Sequence, residues 1–427
     1  MGVLLIGAVS ALWKNFAAWR VEREYSLPKD SYVAELSPDG AWFTMGDYSS
    51  GTRSCKVWNV ETGEFFVIPR HLQTFVNAVN ATFSSDSHFV LSELRAQERG
   101  EVELWKVSTK SRVALELRGE KSDWARFSPG GERVLLQTKS RRVLLLNTET
   151  GACVAEHPGE LSYYNSIAVE RYAVLREDES ISIHSIHDGS EVQRLPPQKD
   201  YDVRGIFYLS NKILMALVYR RQDRNFEEAM SLKFELGRPD APVLMNGIVV
   251  ATTPDESFTV VGNEEETLVV DLRTNQKIAK IPVRTENKVF NPVLMGRVMV
   301  LNDAGNSIAF DIQSGKRLYD IKDMIALAVV PYSKTLLCFD DRRQPCICDS
   351  VTGELLQAFG QFESISSENP KLLSASGRTL LVFDGGNSKV QLWTKQRPEY
   401  WWGFAWLPEF WLTVLLAIAC GWSIRRD

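Results

Sequence analysis

The sequence predicts an all-β chain folded as a single β-propeller, and three observations carry that expectation. First, a strand ending in a Thr-Gly-like turn recurs along nearly all of the 427 residues. Second, the spacing of these endings is roughly 40 to 45 residues, the period of a four-stranded propeller blade. Third, the stretches between the endings are short β-branched and aromatic runs bounded by Gly, Pro, Asp and Ser, as short strands require.

The endings can be followed in order. Val57-Trp58-Asn59-Val60-Glu61-Thr62-Gly63 sets the pattern and Leu104-Trp105-Lys106-Val107-Ser108-Thr109 repeats it. Leu145–Gly151, Ile183–Gly189, Val269–Asn275, Ala309–Gly315 and Ile347–Gly353 continue it, and Gln391-Leu392-Trp393-Thr394 closes the series. Within the first unit, Tyr32–Leu36 is an apolar-rich strand ended by Ser37-Pro38-Asp39-Gly40. There Pro presets φ, Asp can accept from the backbone two residues on, and Gly takes positive φ cheaply. Trp42–Met45 and Cys55–Trp58 resume the sheet, and Glu64–Ile68 supplies an outer strand. Equivalent turns are Ser84–Ser87, Ser128–Gly131 and Thr253–Glu256.

One such sheet cannot bury both faces alone, so neighbouring blades must stack around an axis. Nine units can be counted, with 160–196 and 200–237 the weakest and the latter carrying the polar insertion Arg220–Glu228. Propellers usually have about four to eight blades, so eight is the expected number and nine the literal count. The last unit ends at Trp393 without an outer strand, and Arg20–Tyr25 is a candidate to supply it from the other end of the chain. Such closure would leave no sheet edge open.

The Ser-Pro-Asp-Gly turns and Trp-Asn/Asp-x-x-Thr-Gly endings resemble bacterial WD40-type repeat proteins over about residues 30 to 397. Repeats of that family often carry a Gly-His pair and a closing Trp-Asp. Here no Gly-His occurs, and Trp58, Trp105 and Trp393 are followed by Asn, Lys and Thr, while Asp271, Asp311 and Asp349 keep the acidic half. The resemblance implies a binding platform.

Length alone would suggest two or three domains, but the continuous repeat favours one closed domain, 20–397, with terminal segments 1–19 and 398–427. The net charge is −5, with both signs mixed throughout and no basic stripe, so nucleic acid is not an expected partner.

The terminal segments read as hydrophobic helices that tether the propeller to a membrane. Phe410 to Ile424 is an apolar run stopped by Arg425-Arg426-Asp427. As a helix it rises about 22 Å, and adding Leu407 and the preceding aromatic stretch brings it to spanning length. Trp401, Trp402, Trp406 and Trp411 cluster near one end and Trp422 lies at the other, like an interfacial aromatic belt. Ala417 and Gly421 form a small-xxx-small pair. Val3 to Trp13, followed by Lys14 and Phe16–Trp19, reads as an uncleaved anchor. Two spans would place both termini on one side. Arg425 and Arg426 favour an exported propeller, whereas Lys14, Arg20, Arg23, Lys395 and Arg397 argue the reverse; the signal-like N-terminus tips the expectation towards export.

No catalytic, cofactor or metal site is expected. There is no Gly-x-Ser-x-Gly elbow and no Walker-type loop; Gly385–Lys389 is a hairpin turn. His71, His88, His157, His184 and His187 read as surface or turn residues. Cys346 and Cys348 share a strand face and read as small buried hydrophobes, with a metal or redox pair the sharper alternative. Cys55, Cys153, Cys338 and Cys420 show no framework spacing. Glu264–Glu266 reads as a solvated hairpin tip, Arg220–Arg224 as a mixed-charge loop, and Trp124 as core. The functional expectation is a membrane-tethered, non-enzymatic propeller that presents a rim or face to a protein partner. The alternative is a propeller enzyme or a cofactor or small-ligand sensor working through the axial channel.

Overall fold

The computed structural model describes residues 19–395, apart from 28–30, 48–53, 69–75, 97–99, 163–166, 222–228, 238–241, 254, 263–266, 282–292, 304, 332, 343, 360–372, 375 and 385–388. The apolar segments expected to act as anchors, with Cys420, Ala417 and Gly421, lie outside these residues. So do His71, Glu264–Glu266 and most of the 220–228 insertion. Among the described residues no helix is long and apolar enough to cross a membrane.

Nine antiparallel sheets make nine blades, one more than the expected eight. Blades 1 to 8 span Ser31–Ile68, Val76–Val113, Ser122–Pro158, Glu160–Leu195, Tyr201–Met245, Ile248–Ile281, Val293–Ile321 and Met324–Ala358, each with four strands in chain order. Blade 9 joins Thr379–Asp384 and Lys389–Lys395 to Trp19–Ser26, which pairs antiparallel along Lys389–Lys395 from Ser26↔Lys389 to Trp19↔Lys395. The outer strand of the last blade therefore comes from the start of the chain. Trp19, placed by the sequence reading at the end of the N-terminal apolar segment, is the first residue of that strand.

Burial shows why the ring closes at nine. Among the described residues, nine apolar clusters occupy the nine junctions between neighbouring blades. Tyr25, Leu381, Phe383 and Leu392 of blade 9 pack on Phe43 and Met45 of blade 1. On its other face, Trp19, Val382 and Trp393 pack on Val330, Leu337 and Ile347 of blade 8. Units 160–196 and 200–237, weak in sequence, share a junction of thirteen buried residues that includes Ile183, Ile206 and Val218. With each sheet hidden on both faces, the strands read as near-continuous apolar runs, as in Arg142–Asn147 with four successive buried residues.

The two faces of the ring differ. On one lie the turns between the first and second strands and those between the third and fourth. In the first set a buried Ser or Thr hydroxyl accepts from the backbone five residues on. Ser37 Oγ takes Trp42 N–H at 2.8 Å, Thr253 Oγ1 takes Phe258 N–H at 3.0 Å, and Ser374 Oγ takes Thr379 N–H at 3.0 Å. In the second set an Asx side chain opens the turn. Asn59 Oδ1 accepts from Glu61 and Thr62, Asp271 Oδ1 from Arg273 and Thr274, and Asp349 Oδ1 from Val351 and Thr352, all at 2.7–2.9 Å. Six of these second turns hold five residues each, 60–64, 148–152, 186–190, 272–276, 312–316 and 350–354. Gly closes most of them at positive φ; at Gly151 (φ 70°) a Cβ would also overlap the Ala114 carbonyl of blade 2. Asp271, Asp311 and Asp349 are thus turn caps. Hydrogen bonds from Thr274 N–H and the Ser314 hydroxyl hold Asp271 and Asp311 below the usual carboxylate range.

The opposite face carries connections between the second and third strands that vary from two residues (304–305) to nine (221–229). It also carries the links between blades. We refer to the two as the turn face and the loop face.

Candidate functional site

Blade 9 is where the turn face changes. In blades 1 to 8 a connection of four to seven residues joins the third strand to the fourth; in blade 9 the third strand comes late in the chain and the fourth comes early. Lys395 ends the third strand, Trp19 begins the fourth, and the two are cross-strand partners. Lys395 N–H still donates to Arg378 O at 2.8 Å, the counterpart of Val60 N–H to Ala41 O in blade 1 and Ser350 N–H to Lys334 O in blade 8. Trp19 and Lys395 therefore stand side by side on the turn face.

The first residue of the closing strand is held on two sides. Gln357, on the outer strand of blade 8, accepts from Trp19 N–H at 2.8 Å and donates to Trp19 O at 2.7 Å. A side-chain amide thus pairs with both backbone groups of Trp19 as a neighbouring strand would. The indole, 4% exposed, meets Phe359 edge-on with ring centroids 6.0 Å apart. At the far junction, Tyr25 OH donates to Val60 O in the blade 1 turn.

That last contact is one of a set. The carbonyl just after the Asx cap also receives Tyr319 OH at Ser350 in blade 8, and Lys233 Nζ at Leu272 in blade 6. Lys233 is fully buried and also donates to Glu235 Oε1 at 2.8 Å and Asn275 Oδ1 at 2.9 Å, so all three of its protons have acceptors. Nearer the axis, side chains of one blade accept from inner-strand N–H groups of the next. Glu35 takes Phe83 (3.0 Å), Glu93 takes Ala125 (2.7 Å), Gln137 takes Leu161 (2.7 Å) and Asn302 takes Ala326 (3.0 Å). Sequence reading missed these residues because each partner lies 24 to 48 residues away. The only trace is a polar residue recurring inside apolar strands.

Two groupings gather chemistry-bearing side chains. At the blade 3–4 junction His157 stacks on His184 with centroids 3.8 Å apart, and His157 Nε2 lies 2.8 Å from Tyr172 OH. His184 is 1% exposed, not a surface or turn residue, with Nε2 2.9 Å from Ser182 Oγ and Nδ1 3.1 Å from Gly189 O. Burial, then the neighbouring His184, lowers the His157 pKa to about 4, and burial lowers His184 as well. Ser182 and Tyr172 are fully buried, so this hydroxyl–imidazole pair is closed to a substrate. His187 lies in the exposed turn that follows, apart from His184, and His88 is exposed beside Asp86.

At the blade 7–8 junction Cys346 and Cys348 do share a face, joined by Cys338, which is cross-strand from Cys346. Met324 Sδ lies 3.7 Å from Cys346 Sγ and 3.5 Å from Cys348 Sγ. Cys346 Sγ donates to Cys338 O at 3.5 Å, and the neighbouring Cys348 thiol, with burial, raises the pKa values of Cys338 and Cys346. All three thiols are buried in an apolar surround, and among the described residues no group of three or more His, Cys, Asp or Glu side chains is placed to share an ion. Trp124 is buried between blades 3 and 4.

No protein-family model matches the sequence, and no curated protein matches it. Solved structures do resemble it in fold. BamB from Moraxella catarrhalis is similar at a TM-score of 0.50 and 11% identity, over 88% of this chain and all (100%) of that one. The C-terminal WD40 domain of Sif2 is similar at a TM-score of 0.46 and 10% identity, over 88% of this chain and 98% of that one. The chain is a β-propeller, an architecture commonly used as a protein-interaction scaffold.

Proposed function

We propose that the protein is a membrane-tethered, non-enzymatic propeller that holds a protein partner on its loop face. The observation that carries this reading is the pairing of Trp19 with Lys395 on the turn face, the two described residues that border terminal sequences each holding an apolar run of anchoring character. The loop face is thereby left free. Its connections vary in length from blade to blade over a rigid frame, the arrangement that suits recognition. The described polar and titratable clusters support a structural role, since they are consumed in holding blade to blade. Burial keeps the imidazole and thiol groupings from serving as a reactive centre.

The test uses the full-length chain in native membranes, with a photo-crosslinking amino acid at Glu179 or Asp341 on the loop face, or at Val192 on a blade edge. A discrete protein adduct from the loop positions, absent from Val192 and competed by excess unlabelled chain, is expected. Adducts that do not distinguish the positions, or their complete absence, would overturn the platform reading. Release of the chain from membranes by alkaline carbonate would overturn the tether.

A further inference from the structure

We infer that the turn face is the surface presented to the lipid bilayer, so that the axis of the ring stands near the membrane normal and the loop face points away. The inference rests on the tether proposed above and adds an orientation to it.

Three observations carry it. Lys389–Lys395 runs towards the turn face, and Trp19–Ser26 runs away from it beside it. The two described residues that border the terminal sequences, Trp19 and Lys395, thus both stand at that face. The leash is short on one side. From Trp13, the end of the first apolar stretch, to Trp19 there are six residues, at most about 20 Å of chain. From Lys395 to Phe410 there are fifteen, at most about 50 Å, so the N-terminal segment sets the distance. Finally, the attachment itself is stiff. Trp19 is locked by Gln357, by Lys395 and by the Phe359 contact, so the leash cannot lengthen by peeling the strand without breaking the blade 8–9 junction.

The turn face is also suited to lie close to headgroups. In its described turns the Ser, Asn and Asp caps pair backbone N–H groups, as at Trp42, Thr62, Thr274 and Thr352. Its exposed charges include both signs, with Glu61, Glu132 and Glu354 beside Arg273, Arg297 and Lys316. The tether, not attraction to anionic lipid, sets the orientation.

The experiment compares two positions in one blade, so that distance from the tether is shared. In a Cys153→Ser, Cys420→Ser background, Thr352→Cys on the turn face or Asp341→Cys on the loop face is labelled with a nitrobenzoxadiazole maleimide. Both sites are exposed, and the five-residue strand Pro345–Asp349 between them separates the faces by about 17 Å. The full-length chain is reconstituted into phosphatidylcholine vesicles containing headgroup spin-labelled lipid. At least twofold stronger quenching at Thr352→Cys than at Asp341→Cys is expected. Equal quenching, as for a ring lying on its edge, or the reverse order would overturn the orientation while leaving the tether intact. Failure of the chain to float with the vesicles would instead remove the tether on which the orientation rests.

Discussion

Trp19→Ala is the sharpest probe of ring closure. The indole is 4% exposed and packs against Val330, Leu337, Phe359 and Val382, so truncation removes contacts to both sides of the blade 8–9 junction. Large-to-small changes of this kind cost about 3–5 kcal/mol, and the Gln357 clasp on the Trp19 backbone keeps the strand in register so that the cavity cannot collapse by slippage. With an unfolding entropy of about 2.1 cal/mol/K per residue, a ring of this length has roughly 0.8 kcal/mol/K in total. A loss near 4 kcal/mol then lowers the thermal midpoint by about 5 °C. Val21→Ala, on the same strand at 45% exposure, should cost within about 0.5 kcal/mol. The assay is calorimetric or circular-dichroism melting of the purified full-length variants, with limited proteolysis to detect early release of the strand. Equal midpoints for Trp19→Ala and Val21→Ala would show that Trp19–Ser26 does not bear the closure.

Lys233→Met should cost about 2–4 kcal/mol, because the Leu272 carbonyl and the Asn275 amide oxygen lose their donor; Lys316→Met, exposed in the next blade's turn, should be nearly silent by urea unfolding. The His157–His184 pair makes the fold acid-sensitive. With folded pKa values lowered below 6.5, the neutral form is the one the fold favours, so the contribution is complete above pH 6.5 and falls as pH drops towards about 4. Discounted for the partial exposure of His157, the loss is about 1–3 kcal/mol, and His157→Gln should flatten the urea midpoint between pH 6.5 and 4. An unchanged pH profile in that variant would refute the assignment. In the native chain, Cys153 should react with a disulfide reagent well before Cys338, Cys346 and Cys348, which should label only at the unfolding rate; comparable labelling of all four would contradict the packed blade 7–8 junction.

Much of the architecture is local in origin and therefore readable along the chain. Ser37, Asp39 and Gly40 close a turn among themselves and Trp42, and Asn59 with Gly63 close another within five residues, so composition and spacing alone betray them. The closing strand could be anticipated because the last repeat is one strand short and Arg20–Tyr25 has strand character. What the sequence did not show is everything that passes between blades. The number nine depends on the angle at which successive sheets pack, and that angle is set by side chains such as Phe43 against Phe383, far apart in sequence. His184 is buried because Tyr172 arrives from the neighbouring strand and His157 from the neighbouring blade, and Lys233 is tolerated in a core because a turn some forty residues on supplies its acceptors. The meeting of Trp19 and Lys395 on the turn face likewise needs the ring closed, since only their pairing brings together residues so far apart in the chain. Turn chemistry acts over a few residues and is written locally, whereas burial and junction geometry are summed over contacts that exist only once the ring is complete.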